Sequence, residues 1–266
     1  MSADSCRVLA IANQKGGVGK TTTAINLGTA LAAIGNRVLL LDADPQGNAS
    51  TGLGVGLALR RKTLYDVLME ELAALDAVVK TGLPGLDLLP ADPDLSGIEV
   101  ELGQTPRRSY RLRDALAPLR ADRYDYVLID CPPALSLLTV NAMTAADAVL
   151  VPMQCEFFAL EGLTQLMRTV DLVRGSLNPS LEIQGLVLTM VDRRNSLSTQ
   201  VERDVRDHFG EKVYATVIPR NVRVSEAPSF GKPALIYDLK CAGSQAYIRL
   251  ARELVGRERG RARASG

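Results

Sequence analysis

Residues 15–22, Lys-Gly-Gly-Val-Gly-Lys-Thr-Thr, bring two ammonium groups, three glycines and two hydroxyls into eight positions. Glycine lacks the Cβ that would keep backbone N–H groups away from an incoming anion. A helix beginning at such a turn adds unpaired N–H donors and the positive end of its dipole. The combination suits a phosphate chain. Lys15, Gly16, Gly17, Val18, Gly19, Lys20, Thr21 and Thr22 would form the cradle, with Lys20 on the β- and γ-phosphates and the Thr21 hydroxyl on Mg²⁺. The common form G-x-x-x-x-G-K-[ST] is not matched in full: Gln14 stands where its first glycine would fall, and a second lysine, Lys15, sits just inside the loop.

Three acids end apolar runs and could complete a site. Asp130 closes Tyr126–Asp130, where an acid can hold Mg²⁺ through water, because hard cations take oxygen ligands. The alternative role is an acid capping the next turn. Asp42 and Asp44 lie two residues apart at the end of Arg37–Asp42, a spacing that shares one face only while a strand continues. Pro45 favours a turn there instead. They could serve the metal and the attacking water, or cap the loop through Asx-turns. The lone His208, late in an amphipathic stretch, reads as a surface or dipole residue rather than a catalyst.

These residues need elements to hold them. Val8–Ala12 precedes the loop as a buried strand, and Thr23–Ala32 follows it with helical spacing. The continuous apolar run Arg37–Asp42 has the pattern of a parallel strand buried on both faces, as does Tyr126–Asp130. Further strands are expected at Leu86–Pro90, Ala148–Pro152, Ile183–Met190 and Val213–Ile218. Helices are expected at 64–72, 96–102, 110–119, 160–174, 198–209 and 244–257. Strands alternating with helices imply an α/β fold, a mostly parallel twisted sheet with helices on both faces. Right-handed crossovers then set the loops after residues 12, 42 and 130 along one edge. The glycine-rich stretch 48–62 reads as a mobile connection. Residues 1–256 read as one domain and the basic residues 257–266 as a disordered tail.

Composition narrows the function classes. The 266 residues are 47% hydrophobic and 4% aromatic, with a formal net charge of +1. The charge is unevenly spread: residues 193–266 hold 15 Lys/Arg against 8 Asp/Glu. A polyanion-facing surface and a merely solvated basic region both fit that surplus. Four scattered cysteines without a C-x-x-C pair argue against a disulfide framework, a zinc site or a metal cluster at Cys131. Neither a signal peptide nor a membrane span is visible, so the expected location is cytoplasmic.

KGGVGKTT resembles the deviant Walker A motif of the ParA/MinD group of SIMIBI-type P-loop ATPases. QKGGVGKTTTAINLG, LLLDADPQGN, VLIDCPP, EFFALEGL (156–163) and IPRNVRVSEAPSFGKP (218–233) together resemble its ParA/Soj branch over nearly the whole chain. The resemblance implies ATP and Mg²⁺ as ligands and a homodimer that sandwiches two nucleotides. Lys15 would cross the interface, Asp44 would position or activate the attacking water, and Asp42 would support the metal at Thr21 and Asp130. Pro219, Arg220 and Asn221 match the adenine loop, and Asp192 a second base-proximal position. The arginines matching Arg194 and Arg223 bind DNA in that family, and Lys232 and Lys240 belong to the same basic surplus. A DNA-segregation ATPase on the nucleoid, stimulated by a ParB-type partner, follows. A MinD-like membrane-cycling regulator is the alternative, but the basic, apolar-poor end of this chain does not suit a membrane helix. A nitrogenase-type reductase or cluster carrier would need paired cysteines that are absent.

Overall fold

The computed structural model describes residues 6–120, 123–156, 159–192 and 194–264. The apolar runs become strands because both of their faces are covered. In chain order the elements are β1 (Arg7–Ile11), α1 (Lys20–Ala33), β2 (Val38–Asp42), α2 (Asn48–Gly52), α3 (Leu64–Leu68) and α4 (Ala74–Ala77). There follow β3 (Val79–Lys80), β4 (Leu86–Leu89), α5 (Ile98–Leu102), α6 (Arg111–Leu116), β5 (Tyr126–Asp130), α7 (Leu137–Ala145) and β6 (Ala148–Gln154). The chain ends with α8 (Ala159–Ser176), β7 (Glu182–Thr189), α9 (Ser196–Phe209), α10 (Val222–Glu226), α11 (Ala234–Tyr237) and α12 (Ala242–Ala264).

The strands form one sheet in the order β3-β4-β2-β5-β1-β6-β7. All pairings are parallel except that of β3 with β4. Successive strand residues face opposite sides. Val8 and Ala10 enter a core with α3, α5, α6, α7 and α8, whereas Leu9 and Ile11 enter a second core with α1, α11 and α12. Register places Asp130 beside Ile11 on one side and Asp42 on the other. The ends of β1, β2 and β5 are therefore level, and their loops share one edge, as expected. Among the described residues no helix is long and apolar enough to cross a membrane.

Four of the segments that differ from the sequence reading have a visible physical cause. The strand expected at Val213–Ile218 is irregular chain with two isolated bridges, Leu186 to Val213 and Val191 to Pro219. Its middle peels away because Ala215 N and Thr216 N donate to the Glu253 carboxylate of α12, at 2.8 and 2.9 Å. Residues 48–62 are not a loose connection: α2 buries Ala49, Ser50 and Gly52, and Arg60 is bonded inward. Helix α7 was not foreseen. Eight of its nine residues are buried, so it carries no amphipathic period to read. Finally, α12 continues to Ala264 where a disordered tail was expected from residue 257. Arg257 donates to the carbonyls of Glu211 and Val213, and Arg261 reaches Glu182 and Gln184 of β7, which ties these two arginines to the body of the fold.

Candidate functional site

The loop between β1 and α1 is held open by its glycines. Gly17 and Gly19 adopt φ of 73° and 86°, and Gly19 caps α1 in the left-handed conformation without any side-chain cap. The first N–H groups of α1 thus remain for an external acceptor. The floor of the loop is tied to the sheet. Asn13 Nδ2 donates to Pro152 O at 2.8 Å and its Oδ1 accepts from Lys15 N at 3.0 Å. Thr189 Oγ1 donates to Val18 O at 2.7 Å, and Gln154 Nε2 to Gly17 O at 3.0 Å. Sequence reasoning missed Asn13, Gln154 and Thr189, which carry no motif of their own.

The two lysines occupy different environments. Lys20 is buried, its Nζ donating to Lys15 O at 3.1 Å. Burial lowers its pKa, opposed first by the charge of Asp130. Lys15 lies on the rim and pairs with Glu156 at 2.6 Å. A Cβ at Gly16 would meet nothing within 4 Å, so the top of the loop is open.

The acids converge on the same edge. Asp130 is fully buried, and neither carboxylate oxygen has a hydrogen-bond partner among the described residues. The Thr21 hydroxyl is near enough to favour its charged form, but does not complete a hydrogen bond of good geometry. Burial, then the neighbouring Asp42, drives the Asp130 pKa well above the carboxylate range. Asp42 is also fully buried; its Oδ2 accepts from Ser50 N at 2.8 Å and Ser50 Oγ at 2.7 Å. Burial raises its pKa to about 6 against these bonds. Asp44 is half-buried. Its N–H donates to Asp42 Oδ1 at 3.3 Å and its Oδ1 accepts from Gln46 N at 3.0 Å, so the Asx-turn geometry exists alongside any chemical role. Two acids beside a lysine and a hydroxyl, one with orphaned oxygens, make a set that a hydrated Mg²⁺ would satisfy. Among the described residues no group of three or more His, Cys, Asp or Glu side chains is placed to hold a metal ion.

Beside the start of α1 runs a narrow cleft lined by Gly19, Thr22, Met190, Pro219, Asn221 and Tyr247. Asn221 caps α10, its Oδ1 accepting from Val224 N. Asp192 lines the next cleft over, with Gln154, Glu156, Asn195 and Arg220. Its carboxylate is clasped by Arg194 Nε and Nη2 at 2.9 and 2.7 Å, and these bonds hold its pKa down to about 2. The two clefts meet at Met190 and Arg220, which line both. The other basic candidates are exposed: Arg223 pairs with Glu226 at 3.1 Å, while Lys232 and Lys240 flank α11. Arg193 lies outside the described residues.

A family model described as an AAA domain matches residues 6–183. The chain is 78% identical over 262 residues to the chromosome partitioning protein ParA of Caulobacter vibrioides, covering 98% of each. It is 52% identical over 248 residues to the sporulation initiation inhibitor protein Soj of Bacillus subtilis, covering 93% of this chain and 98% of that one. A crystal structure of cobyrinic acid a,c-diamide synthase from Mycobacterium smegmatis with bound ADP and magnesium is similar at a TM-score of 0.82 and 41% identity, covering 94% of each chain.

Proposed function

This chain belongs to the ParA/Soj family of chromosome-partitioning proteins, and on that premise we propose that it is a DNA-segregation ATPase working as a nucleotide-dependent dimer. It binds ATP on the loop at 15–22 and pairs with a second copy across the two nucleotides. It then holds double-stranded DNA without sequence preference, and hydrolyses ATP weakly until a ParB-type partner stimulates it. It acts in the cytoplasm, on the nucleoid.

The observation that carries the reading is the pair of unpartnered Asp130 oxygens, buried beside Lys20 and Thr21 where the first N–H groups of α1 are free. Thr21 and Asp130 would hold Mg²⁺, with Asp42 supporting from behind. When bound, the ion neutralises charge on the β- and γ-phosphates. The chain's own residues do the rest. Lys20 exchanges the Lys15 carbonyl for phosphate oxygens, and Asp44 orients the water. Such positioning is most of what phosphoryl transfer asks of a protein. Lys15 leaves Glu156 to reach the nucleotide of the other copy. Asn221, with Pro219 and Arg220, receives the adenine edge, and Asp192 stands nearby. Arg194, Arg223, Lys232 and Lys240 contact phosphates, and dimerisation doubles their number, which couples DNA binding to ATP.

The test is light scattering and DNA retention, each with Mg²⁺-ATP, with Mg²⁺-ADP and without nucleotide. A dimer and salt-sensitive retention of unrelated DNA sequences are expected with ATP alone. An ATP-bound monomer, or equal retention in all three states, would overturn the reading.

A further inference from the structure

The segment between α2 and α3 has no assigned role, yet Arg60 within it makes four hydrogen bonds, one of them to the turn that carries Asp44. Its Nε donates to Val55 O at 3.0 Å and its Nη1 to Ala91 O at 3.1 Å. Its Nη2 donates to Gly47 O at 3.0 Å and Thr51 Oγ1 at 2.6 Å. Three of these acceptors are backbone carbonyls on three separate stretches of chain: the Asp44–Gly47 turn, the segment after α2, and Ala91, the second residue after β4. The contact at Gly47 is close. A Cβ added there would lie 2.0 Å from Arg60 Nη1, and Gly47 sits at φ 61°. Glycine thus serves both the left-handed turn and the approach of the guanidinium.

The connections run on to the acids. Gly47 N donates to Asp44 O at 2.8 Å, which closes the turn. Ala91, whose carbonyl Arg60 holds, donates its N–H to Ser50 Oγ at 3.2 Å, and Ser50 binds Asp42 through its own N–H and hydroxyl. Asp42, Ser50, Ala91, Arg60, Gly47 and Asp44 therefore form one continuous hydrogen-bonded circuit. β2 anchors the Asp42 end and Ala43 N still donates to Asp130 O at 3.0 Å, while on the far side the Gly47 carbonyl is shared by Arg60 Nη2 with Thr51 N and Thr51 Oγ1, at 3.0 and 3.1 Å.

We infer that Arg60 is a positioning residue for hydrolysis: its guanidinium clamps the Gly47 carbonyl to the end of β4 and so sets where the Asp44 carboxylate stands. The inference rests on the ATPase reading above, and deepens it. The clamp needs a planar group with donors pointing in several directions, which guanidinium supplies and an ammonium at one point does not. Lysine in its place would keep the charge and lose the span. Because the nucleotide cradle hangs on β1, β6 and β7 through Asn13, Gln154 and Thr189, loosening the turn leaves ATP binding untouched.

The experiment compares full-length wild type with Arg60→Lys, Arg60→Met and Thr51→Val, the last removing one of the four Arg60 bonds together with the Thr51 Oγ1 bond to Gly47 O. ATP affinity is read by titration calorimetry, turnover by phosphate release with DNA and a ParB-type partner, and loop order by amide exchange over residues 44–60. For both Arg60 variants we expect a kcat lower by about 10- to 100-fold, the scale of a small misplacement of a reacting group. We expect an unchanged ATP Kd, faster exchange confined to 44–60, and a small effect for Thr51→Val. Turnover at the wild-type rate in both Arg60 variants would overturn the inference and leave the ATPase reading standing. So would loss of turnover and ATP affinity together, since that is the mark of a general structural role. A wild type that binds no ATP would instead overturn the ATPase reading, and the inference with it.

Discussion

Replacing Asp130 with asparagine should stabilise the ligand-free protein while weakening its response to Mg²⁺-ATP. The side chain is fully buried, both oxygens lack hydrogen-bond partners among the described residues, and Asp42 stands beside it in register. An unsatisfied buried polar group costs about 1–3 kcal/mol, and a charged one more. Asparagine keeps the shape and removes the charge, so the gain at pH 8 is set at about 1–3 kcal/mol. For a chain of this size that is roughly 2–10 °C in Tm. The sign with pH follows from the raised pKa. Below the unfolded value of Asp130 both states are protonated and the two proteins should melt alike. As pH rises above it the unfolded chain ionises first, so wild-type stability falls until the folded-state pKa is passed. Asp42, raised to about 6, adds a loss of the same sign between roughly pH 4 and 6 in both proteins. The assay is thermal unfolding in a chelating buffer at pH 4 and pH 8, repeated with Mg²⁺-ATP. We expect Asp130→Asn to lead at pH 8 without ligand and wild type to gain more when ligand is added. A ligand-free variant that melts at or below wild type at pH 8 would refute the orphan-carboxylate reasoning.

Three further outcomes follow from the same geometry. Asp44→Ala should bind Mg²⁺-ATP and dimerise as wild type does, yet turn over at least about tenfold more slowly, because it loses the group proposed to orient the water; normal stimulated turnover would place that role elsewhere. Gly16→Val should bind ATP as a monomer in light scattering, since a Cβ there meets nothing within 4 Å among the described residues and the proposed second copy would collide with the side chain; an ATP-dependent dimer of this variant would contradict the sandwich. Arg194→Glu and Arg223→Glu should each weaken binding to all DNA sequences and flatten the salt slope by about one counterion or more. Both arginines already face acids, Asp192 and Glu226, so DNA must displace those partners; undiminished binding by both variants would move the contact surface.

Much of the site was legible because its chemistry and its elements coincide in sequence. Val-Leu-Leu-Leu-Asp and Tyr-Val-Leu-Ile-Asp are buried on both faces, and an acid at the end of such a run can only stand at the sheet edge. What escaped reading lacks a local signal. Helix α7 is buried nearly all round, its polar Thr139, Asn141 and Thr144 included, so no polar face marks it. Val213–Ile218 has strand composition, but Glu253, far along the chain, takes the N–H groups a strand would use. Ser50 and Arg60 sit in a stretch whose glycines suggest looseness, and their partners come from β2, the turn after it and the end of β4. The helical extension over 257–264 depends on carbonyls and acids near β7 that a linear scan cannot bring alongside it.

The most direct measurement is phosphate release from ATP by the full chain, with neither, either or both of unrelated double-stranded DNA and a ParB-type partner. The account predicts slow release alone, little change with DNA or partner alone, and a marked rise with both, abolished by Asp44→Ala. Release that is unaffected by DNA and partner together, or that survives unchanged in Asp44→Ala, would contradict it.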